Sequence, residues 1–539
     1  MADLHVPVLI AGGSLVGLSA SVQLATHGVP HLLVERHRGT AVHPRAASFH
    51  QRTMEIFRGM GLQAAVEAAA QKEFLQDGAI VSVSDLSSPE MTFFFRSFND
   101  GVEELSPTRR LFITQIGLEP ILRDRARDLG GEHRYGTELL GFQQDDDGVT
   151  SVVRSRDSGE ETTVRSEYLV AADGAHSPVR GRCGIDMQGR GAFARCITIY
   201  FQADMRELIG DRNLSVVYVN QPDLLGFFRF SITGDSGFLA VFSATGADGT
   251  RDTHVAEDLD EDQCVAYVRK ALGRPDTAVR IDDVQRWTAE ASHAARFSDG
   301  RVFLVGDAAH VMPPTGGFGG NTGVADAHDL AWRLALVSRG VAGPALLDSY
   351  DEERRPASAL VVEQAYTRYV MRVDPSLPRG DLAAPLDDPS IELGTLYRSR
   401  AVLAAEGEDD GALLVDPRKP SGRPGARAPH VWVQVDGAAA SVHDLVGSEF
   451  VLLAGADGQP WCDAAEELTG ADGTPLTAHR VGPGGTVQDP GERFREAFGI
   501  GAAGATLLRP DGVVAWRSTG SSDRPRAVLT DVMARLLGR

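Results

Sequence analysis

The chain has 539 residues, 42% of them hydrophobic and 24% charged, and its formal net charge is −21. This length allows roughly two to four domains, and the negative charge argues against nucleic acid or an anionic membrane as a partner. No apolar run is long enough to cross a membrane, and the four cysteines form neither a CxxC pair nor a metal-binding spacing. We therefore expect a monomer or homodimer of the reducing cytoplasm, with no bound metal.

The first predicted unit is a strand, a glycine turn, a helix and a second strand. Residues 6–10 are apolar, Gly12 and Gly17 follow them, and Glu35 ends the second strand. A dinucleotide-binding fold has this order within roughly 30 residues, and its terminal acid accepts hydrogen bonds from a ribose. Ser14 stands where that motif has its middle glycine, so its side chain could crowd a pyrophosphate or donate to it.

A second group of candidate residues lies between this unit and residue 180. Arg45 stands in a Pro-containing turn, where it is either a surface arginine or a cation that reaches a cofactor or substrate. Gln115 comes just before a predicted helix over residues 118–129. An apolar strand then ends in Asp173-Gly174, with Arg180 shortly beyond it. The other elements predicted here are a helix over residues 51–61 and strands over residues 139–142, 149–154 and 162–165.

From Cys196 to Phe242 the chain is rich in aromatic residues that alternate with other types. We interpret this pattern as a mainly antiparallel sheet that covers a flat apolar substrate. The predicted strands span residues 197–201, 215–219, 226–231 and 238–242. The candidate substrate contacts are Tyr218, Phe228, Phe230 and Phe242. A helix over residues 261–272 and a strand over residues 281–287 complete this region.

The next stretch combines a buried strand, an acidic turn and a glycine-rich loop. Residues 302–305 are apolar and end at Gly306-Asp307, and four glycines lie between residues 316 and 320. A helix follows this loop. Glycines that open a helix leave N–H groups and the positive end of the helix dipole available, which suits an anion or an electron-rich ring.

The last third of the chain predicts one long helix, a linker and a small domain. Residues 346–370 predict the helix, which Pro356 kinks or interrupts, and Arg372 lies just past its end. Residues 373–430 are rich in Pro, Gly, Asp and Arg, and are mostly loop. Residues 431–539 have strands and helices of their own and predict a small α/β domain.

Three glycine and acid elements thus belong to one discontinuous domain, namely Gly12 to Gly17 with Glu35, Asp173-Gly174, and Gly306-Asp307. Their combination resembles the single-component flavoprotein aromatic hydroxylases, which are class A monooxygenases of the p-hydroxybenzoate hydroxylase fold, over the whole chain. Within that family the chain is similar in particular to aromatic polyketide hydroxylases of the tetracenomycin and aklavinone type. The stretches that carry this likeness include Leu105-Ser-Pro-Thr108, Leu118-Glu-Pro-Ile-Leu-Arg123 and Leu508-Arg-Pro-Asp-Gly-Val-Val-Ala-Trp516.

The resemblance implies an α/β fold made of three domains. The implied ranges are 1–75, 106–185 and 286–400 for a discontinuous Rossmann-like FAD-binding domain, 76–105 and 186–285 for an antiparallel β-sheet substrate domain, 401–430 for a linker, and 431–539 for a thioredoxin-like α/β domain. Because that last domain lacks CxxC, we do not expect it to carry out redox chemistry.

By the same resemblance, FAD would be held along its whole length. The ADP half would meet Gly12, Ser14, Leu15, Gly17, Glu35, Arg36 and the backbone of Leu139. The pyrophosphate and ribityl chain would meet Arg45, Gln115, Gly306 and Asp307. The flavin ring would lie along the loop that contains Pro314, Gly317, Gly320 and Asn321, with backbone N–H groups of the last two facing its pyrimidine side. Asp173 and Arg180 belong to a motif associated with both FAD and NADPH.

The implied reaction is a hydroxylation that serves antibiotic biosynthesis. NAD(P)H, with NADPH favoured, would reduce FAD, O2 would add at the flavin C4a, and the hydroperoxide would pass one oxygen atom to a phenolic ring of a polycyclic aromatic polyketide. Arg45 and Arg372 are the catalytic candidates. An arginine does not act as a base at neutral pH, so Arg372 would stabilise a phenolate or an anionic group, unless it is merely a surface residue. His310 and His328 are expected to be packing residues.

Three alternatives stay open at this point. The same scaffold and substrate class allow Baeyer–Villiger insertion or oxidative ring opening, in which the flavin peroxide attacks a carbonyl. A protein of another class would bind FAD and an aromatic ligand without turnover, as a carrier. A dehydrogenase acting on alcohols would turn over without O2.

Overall fold

The computed structural model describes residues 2–42, 47–222, 224–242 and 259–539. Within these residues the strands form two eight-stranded sheets, a four-stranded sheet and a three-stranded sheet, and helices cover their faces. The architecture is therefore α/β. No helix in the described part of the chain is long and apolar enough to cross a membrane.

The strands occur at intervals along the whole chain. Their bounds are β1 Leu4–Ala11, β2 His31–Glu35, β3 Ala79–Val83, β4 Thr92–Phe95, β5 Glu132–Tyr135, β6 Thr137–Asp145, β7 Gly148–Ser155, β8 Glu161–Ala171, β9 Met187–Gln202, β10 Leu214–Gln221, β11 Leu224–Phe230, β12 Ser236–Phe242, β13 Arg280–Ala294, β14 Ser298–Asp299, β15 Val302–Leu304, β16 His310–Val311, β17 Trp432–Val435, β18 Ala438–Ser441, β19 Phe450–Ala454, β20 Leu476–Arg480, β21 Val487–Gln488, β22 Ala505–Leu508 and β23 Val514–Ser518.

The helices connect and cover these strands. Their bounds are α1 Leu15–Thr26, α2 Gln51–Gly59, α3 Gln63–Glu73, α4 Gln115–Asp128, α5 Pro178–Arg182, α6 Arg206–Ile209, α7 Glu261–Leu272, α8 Phe318–Ser338, α9 Asp348–Arg372, α10 Asp388–Leu393, α11 Gln459–Asp472, α12 Phe494–Phe498 and α13 Pro525–Leu536.

The first sheet has the parallel arrangement of a nucleotide-binding domain. Its order is β14-β15-β8-β1-β2-β5, and the strands from β15 to β5 run parallel. An antiparallel β6–β7 hairpin is added to it through β8. Helix α1 leads from β1 to β2 and packs on both α4 and α8. Strands β1, β2, β7, β8 and β15 of this sheet contribute to one apolar core that is continuous with α1, α2 and α8.

The second sheet is mainly antiparallel and has two differently covered faces. Its order is β16-β13-β9-β12-β11-β10-β3-β4, in which only the β10–β3 pair among the described strands is parallel. Helix α7 covers one face, and helix α9 covers part of the other. Strand β16 directly follows the Gly306-Asp307 turn and pairs with β13, so the two large sheets adjoin at that turn.

The C-terminal residues form an α/β domain that shares its core with α8. Sheet β20-β19-β22-β23 has one parallel and two antiparallel pairs, as expected of a thioredoxin-like domain. Trp332 and Leu336 of α8 are buried in the same cluster as residues of β19, α11 and α13. Helix α8 of the nucleotide-binding region and the C-terminal domain are therefore joined by one packed core.

The structure corrects several element boundaries predicted from the sequence. The sequence suggested two strands where the structure has the single strand β8. This strand is continuous because β7 pairs with its first part and β1 with the rest. Helix α9 runs through Pro356 without a break and ends at Arg372, since residues on both sides of the proline are buried against neighbouring elements. Helix α8 begins at Phe318, so Gly319 and Gly320 belong to its first turn rather than to the preceding loop.

Buried His27 should make stability depend on pH. The residue follows α1, and burial lowers its pKa from 6.5 to about 4. Between these two pKa values the unfolded chain binds a proton at His27 more readily than the folded chain does. The stability that neutral His27 contributes is therefore fully present above pH 6.5 and is lost as the pH falls towards 4. We expect acidification from about pH 7 to about pH 5 to cost about 2 kcal/mol less in His27→Gln than in the wild type, by urea unfolding at both pH values. The matched variant His5→Gln, at an exposed histidine, should follow the wild type, and equal losses in all three proteins would contradict the assignment.

Candidate flavin and substrate site

Three turns meet at one edge of the first sheet. Ala11, Ala171 and Leu304 occupy the same register across β1, β8 and β15. Because these strands are parallel, the segments that follow them emerge side by side. Gly12, Asp173 and Gly306 are therefore brought together, at the carboxyl edge where open α/β sheets bind their ligands.

The glycines of the first turn are required by close backbone contacts. Gly12 has φ +108°, and a Cβ there would lie 2.2 Å from the carbonyl oxygen of Ala172. A Cβ on Gly17 would lie 1.9 Å from the carbonyl oxygen of Gly12. Only glycine fits at either position without moving the backbone, so the turn can present its N–H groups at close range.

Glu35 closes this turn from the end of β2, and its side chain is buried. Its carboxylate accepts the Gly13 N–H at 2.6 Å and the His37 N–H at 2.8 Å. Arg36 is exposed next to it, and its carbonyl accepts from Arg156 Nη1 at 3.2 Å. The predicted ribose contact of Glu35 stays a prediction.

Ser14 is engaged by a residue that the sequence-based reasoning did not single out. Its hydroxyl donates to the buried Glu119 carboxylate at 2.6 Å. The same carboxylate accepts the Leu15 N–H at 2.9 Å, and Gln115 Nε2 lies 3.1 Å away. Glu119 thus supplies a negative charge at the start of α1, where the helix dipole favours one. The stretch Leu118-Glu-Pro marked this residue in the sequence but gave it no role.

Asp173 and Arg180 bind the second and third turns to each other. The Val179 N–H donates to Asp173 Oδ2 at 3.1 Å, and burial raises the pKa of this carboxyl. Its other oxygen is buried with no hydrogen-bond partner among the described residues. Arg180 donates to the carbonyls of Ala175 and Ala308, at 2.9 Å each. The unpartnered oxygen can accept a hydrogen bond from a hydroxyl group of a bound ligand, as the resemblance implies for this motif.

The third turn carries the predicted ribityl-binding acid. Gly306 has φ +61°, and its N–H donates to Asp326 Oδ2 of α8 at 2.9 Å. Asp307 follows in a short 3-10 turn and is exposed to solvent at the edge where the three turns meet. A Cβ on Gly323 would lie 3.0 Å from Gly306 Cα, so α8 approaches this turn closely.

The start of α8 is held by Asn321. Its side-chain oxygen accepts from the His50 N–H at 2.9 Å and the Thr53 hydroxyl at 2.6 Å, while its amide donates to the Ser48 carbonyl at 2.9 Å. The amide also donates to the carbonyl of Gly317, which has φ +68° and caps the helix. Because the Asn321 side chain is used internally, a ligand contact of this residue would have to use its backbone, and the implied role of Gly320 and Asn321 stays a prediction.

The remaining predicted cofactor residues lie around this edge or outside the described residues. Pro314 is exposed, and its carbonyl accepts the Gly317 N–H at 3.0 Å. Leu139 lies on β6 opposite Val153, next to a shift in strand register. Arg45, which was predicted both to bind FAD and to assist catalysis, falls in the undescribed segment 43–46.

The structure divides the four predicted substrate residues between two faces of the second sheet. Tyr218 and Phe242 lie on the face towards α9, in one cluster with Tyr369. Phe228 and Phe230 lie on the opposite face, in the core that α7 covers. Successive strand residues point to opposite faces. The aromatic residue of β11 on the α9 face is therefore Phe227, which the sequence-based choice missed by one position.

Arg372 reaches the aromatic face from the end of α9. Its guanidinium lies 5.4 Å from the centre of the Phe94 ring, and that ring packs edge-on at 5.6 Å from the ring of Tyr218. Burial raises the pKa of Tyr218, and the positive charge of Arg372 opposes that rise. The structure thus joins two residues, 154 positions apart in the sequence, that were selected for the same site.

Comparison with known proteins identifies the family to which this chain belongs. The family described as "FAD binding domain" matches residues 5–365, and the family described as "Aromatic-ring hydroxylase, C-terminal" matches residues 421–539. The chain belongs to this family of FAD-binding aromatic-ring hydroxylases, and it is a flavoprotein monooxygenase. The family resemblance and fold class predicted from the sequence are confirmed.

Individual relatives cover the whole chain. It is 49% identical to 4-methyl-5-nitrocatechol 5-monooxygenase of a Burkholderia species, over all of this chain and 98% of that protein. It is 41% identical to tetracenomycin B2 monooxygenase-dioxygenase of Streptomyces olivaceus, over all of both chains. Among solved structures, a ternary complex of aklavinone-11 hydroxylase with FAD and aklavinone matches over all of both chains, with 39% identity and a TM-score of 0.93.

Removing the acid of the third turn should weaken FAD binding selectively. We expect Asp307→Ala to lose its bound FAD on gel filtration, because no other carboxylate takes its place in the turn; the measured quantity is visible flavin absorbance per protein. Asp299→Ala, in the adjoining strand β14, should keep its FAD. Full FAD occupancy in Asp307→Ala would contradict the role of this turn.

Proposed function

We propose that this monooxygenase hydroxylates a phenolic ring bound between the α9-facing side of the second sheet and the three turns that hold FAD. The observation that carries the proposal is that Arg372 and Tyr218 both pack against Phe94 at the edge of an aromatic face. FAD, when bound, activates O2 and supplies the oxygen atom. The protein has to place the ring, exclude water and favour the ionised phenol.

The residues present fit FAD on structural grounds. The close contacts of Gly12 and Gly17 keep the first turn tight at the start of α1, and Asp173 retains a buried oxygen without a partner among the described residues. The start of α8 offers backbone N–H groups where its side chains are already satisfied. Asp307 would bind ribityl hydroxyls, Glu35 the ribose, and Gly320 and Asn321 the pyrimidine side of the ring.

Arg372 would stabilise a phenolate by charge. A guanidinium stays protonated at neutral pH, and here it lies beside a buried hydroxyl and an aromatic ring. In such a partly dry site a cation lowers the pKa of a bound phenol. The ionised ring is richer in electrons, and so it accepts an oxygen atom more readily. Tyr218 would orient the same oxygen by hydrogen bonding.

The aromatic face is built from rings that pack edge to face. The ring of Phe242 packs at 5.4 Å from that of Tyr369 and at 6.0 Å from that of Trp287, and Phe193 contacts Tyr369 at 5.0 Å. These edge contacts join the rings into one aromatic surface. We propose a single-ring phenol or catechol as the substrate on this surface, on the strength of the nitrocatechol named for the 49% identical relative.

A polycyclic aromatic polyketide is the second candidate substrate. The named substrates of the tetracenomycin and aklavinone enzymes support it, and these proteins align over the whole chain. Hydroxylation is proposed for either substrate, with Baeyer–Villiger insertion or ring opening as the alternative outcomes. For the reductant we propose NADPH, which would bind transiently near Asp173 and Arg180.

Replacing Arg372 should raise the pKa of the bound phenol. We expect Arg372→Gln to increase KM for a phenol by about tenfold and to move the optimum of kcat/KM to higher pH, because a hydrogen bond to a charged donor is lost. Arg372→Lys should recover part of both changes. Arg379→Gln, an exposed arginine that donates to the carbonyl of Pro375, is the control and should behave as the wild type. A KM effect without the pH shift would show that Arg372 is only structural.

The size of the substrate can be decided with a panel of single-ring and tetracyclic phenols. We expect single-ring catechols to stimulate NADPH oxidation and O2 uptake, and tetracyclic phenols to give little of either. The reverse result would establish the polycyclic candidate. Product NMR then separates a new phenol from a lactone or an opened ring. Absence of any stimulated turnover would favour a carrier, and turnover without O2 a dehydrogenase.

A further inference from the structure

Helices α8 and α9 bury a cluster of charged side chains behind the flavin turns. Asp326, Asp329 and Arg333 lie on one side of α8, and Glu353 and Arg354 lie on α9, all of them buried. Arg333 donates to Asp329 at 2.6 Å and to Glu353 at 2.7 Å, and Arg354 donates to Asp326 at 2.8 Å. Buried charges are stable only when they are paired in this way, so the two helices are fixed to each other by the cluster.

Arg509 of the C-terminal domain joins the same cluster. Its guanidinium binds both oxygens of Glu353, at 2.6 Å and 2.9 Å, and it is oriented by Asp511 at 3.0 Å. Arg509 is fully buried, and its centre lies 5.3 Å from the ring of Trp332 on α8. A side chain from outside the flavin-binding region is therefore an internal part of its helix pair.

The same helix pair fixes the flavin-binding turn. Asp326 Oδ2 accepts the Gly306 N–H at 2.9 Å and lies 2.7 Å from Nε2 of buried His310, so one oxygen holds both ends of the turn that contains Asp307. Arg354, which holds the other oxygen, also donates to the Thr322 carbonyl in the first turns of α8 at 3.2 Å. Both predicted flavin-facing segments thus depend on Asp326 and Arg354.

Adjacent residues of α9 connect these two sets of contacts. Glu353 binds Arg509, and Arg354 binds Asp326, so a shift of α9 on loss of the first contact moves the second. Tyr397 strengthens the connection, since its hydroxyl accepts from Arg354 at 2.6 Å and its ring lies 5.6 Å from the centre of Arg509. Contiguous ion pairs of this kind can carry coupling between distant sites.

We propose that the C-terminal domain fixes the flavin-binding turn, and that Arg509 is its positioning residue. The domain has no CxxC pair, and its contribution is to hold α9 against α8 so that Asp326 keeps the Gly306 turn and the start of α8 at a fixed separation. The proposal rests on FAD binding, which family membership shows, and not on the identity of the substrate.

The test is titration of FAD-free full-length protein with FAD, followed by flavin fluorescence, well below the unfolding temperature of each variant. We expect Arg509→Gln to raise the Kd for FAD about tenfold, because it leaves Glu353 and Asp511 without their shared cation. The flavin absorption spectrum of the residual complex should also change, which a general loss of stability does not cause. Asp326→Asn should raise the Kd in the same direction.

A matched control lies on the same domain boundary. Arg58 of α2 binds Asp444 of the C-terminal domain with two hydrogen bonds, of 2.6 Å and 2.8 Å, but does not contact α8 or α9 through them. Arg58→Gln should leave the Kd within about twofold of the wild type. If both arginine variants weaken FAD binding equally, the domain acts only through general stability and the proposal is wrong.

A double-variant cycle completes the test. If Arg509 and Asp326 act through one path, the two substitutions together should weaken FAD binding by less than the sum of their separate free-energy effects. Full additivity, or wild-type affinity in Arg509→Gln, would overturn the proposal. Should Arg509→Gln not fold, Arg509→Lys replaces it. Lysine keeps the charge but cannot bind Glu353 and Asp511 together, so an unchanged Kd there would be equally decisive.

Discussion

The carboxylate of Asp326 is the contact on which the arrangement of this protein depends. It is buried, and it binds a backbone N–H of the Gly306 turn, a histidine at the end of that turn and an arginine of α9. Through these three partners the parallel sheet, the helix that begins at the glycine loop and the helix that ends at Arg372 are fixed to each other. The cofactor turn and the proposed substrate arginine are therefore at two ends of one rigid assembly.

This assembly connects the two large sheets with the C-terminal part of the chain. The first sheet brings three turns to one edge through the register of its parallel strands. The second sheet adds an aromatic surface on which the proposed substrate would lie. The C-terminal domain shares an apolar core with α8 and adds a side chain to the buried ion cluster between α8 and α9. These elements are therefore held in place by contacts with one another as well as by their own cores.

Local patterns predicted the elements better than the contacts between them. The glycine turns, the terminal acids and the helix after residue 320 follow from spacing, because close backbone approach and helix capping are properties of a few successive residues. The partner of Ser14 did not follow, since Glu119 is 105 positions away and its function depends on where α4 packs. The same holds for Phe227 and Phe228, because the packing of the second sheet decides which face of β11 lies towards α9. A shift of one residue exchanges the two faces.

The sequence by itself determined the family, the cofactor and the order of the elements, because conserved backbone geometry at a nucleotide site leaves a recognisable pattern of glycines and acids. Only the tertiary structure decided which side chains complete the site. Asn321, expected near the flavin, holds two segments together and leaves its backbone for the ligand. Arg372 and Tyr218 become neighbours only when α9 packs on the second sheet. Burial, pairing of charge and the facing of strands arise from contacts between distant parts of the chain, and no short stretch of sequence contains them.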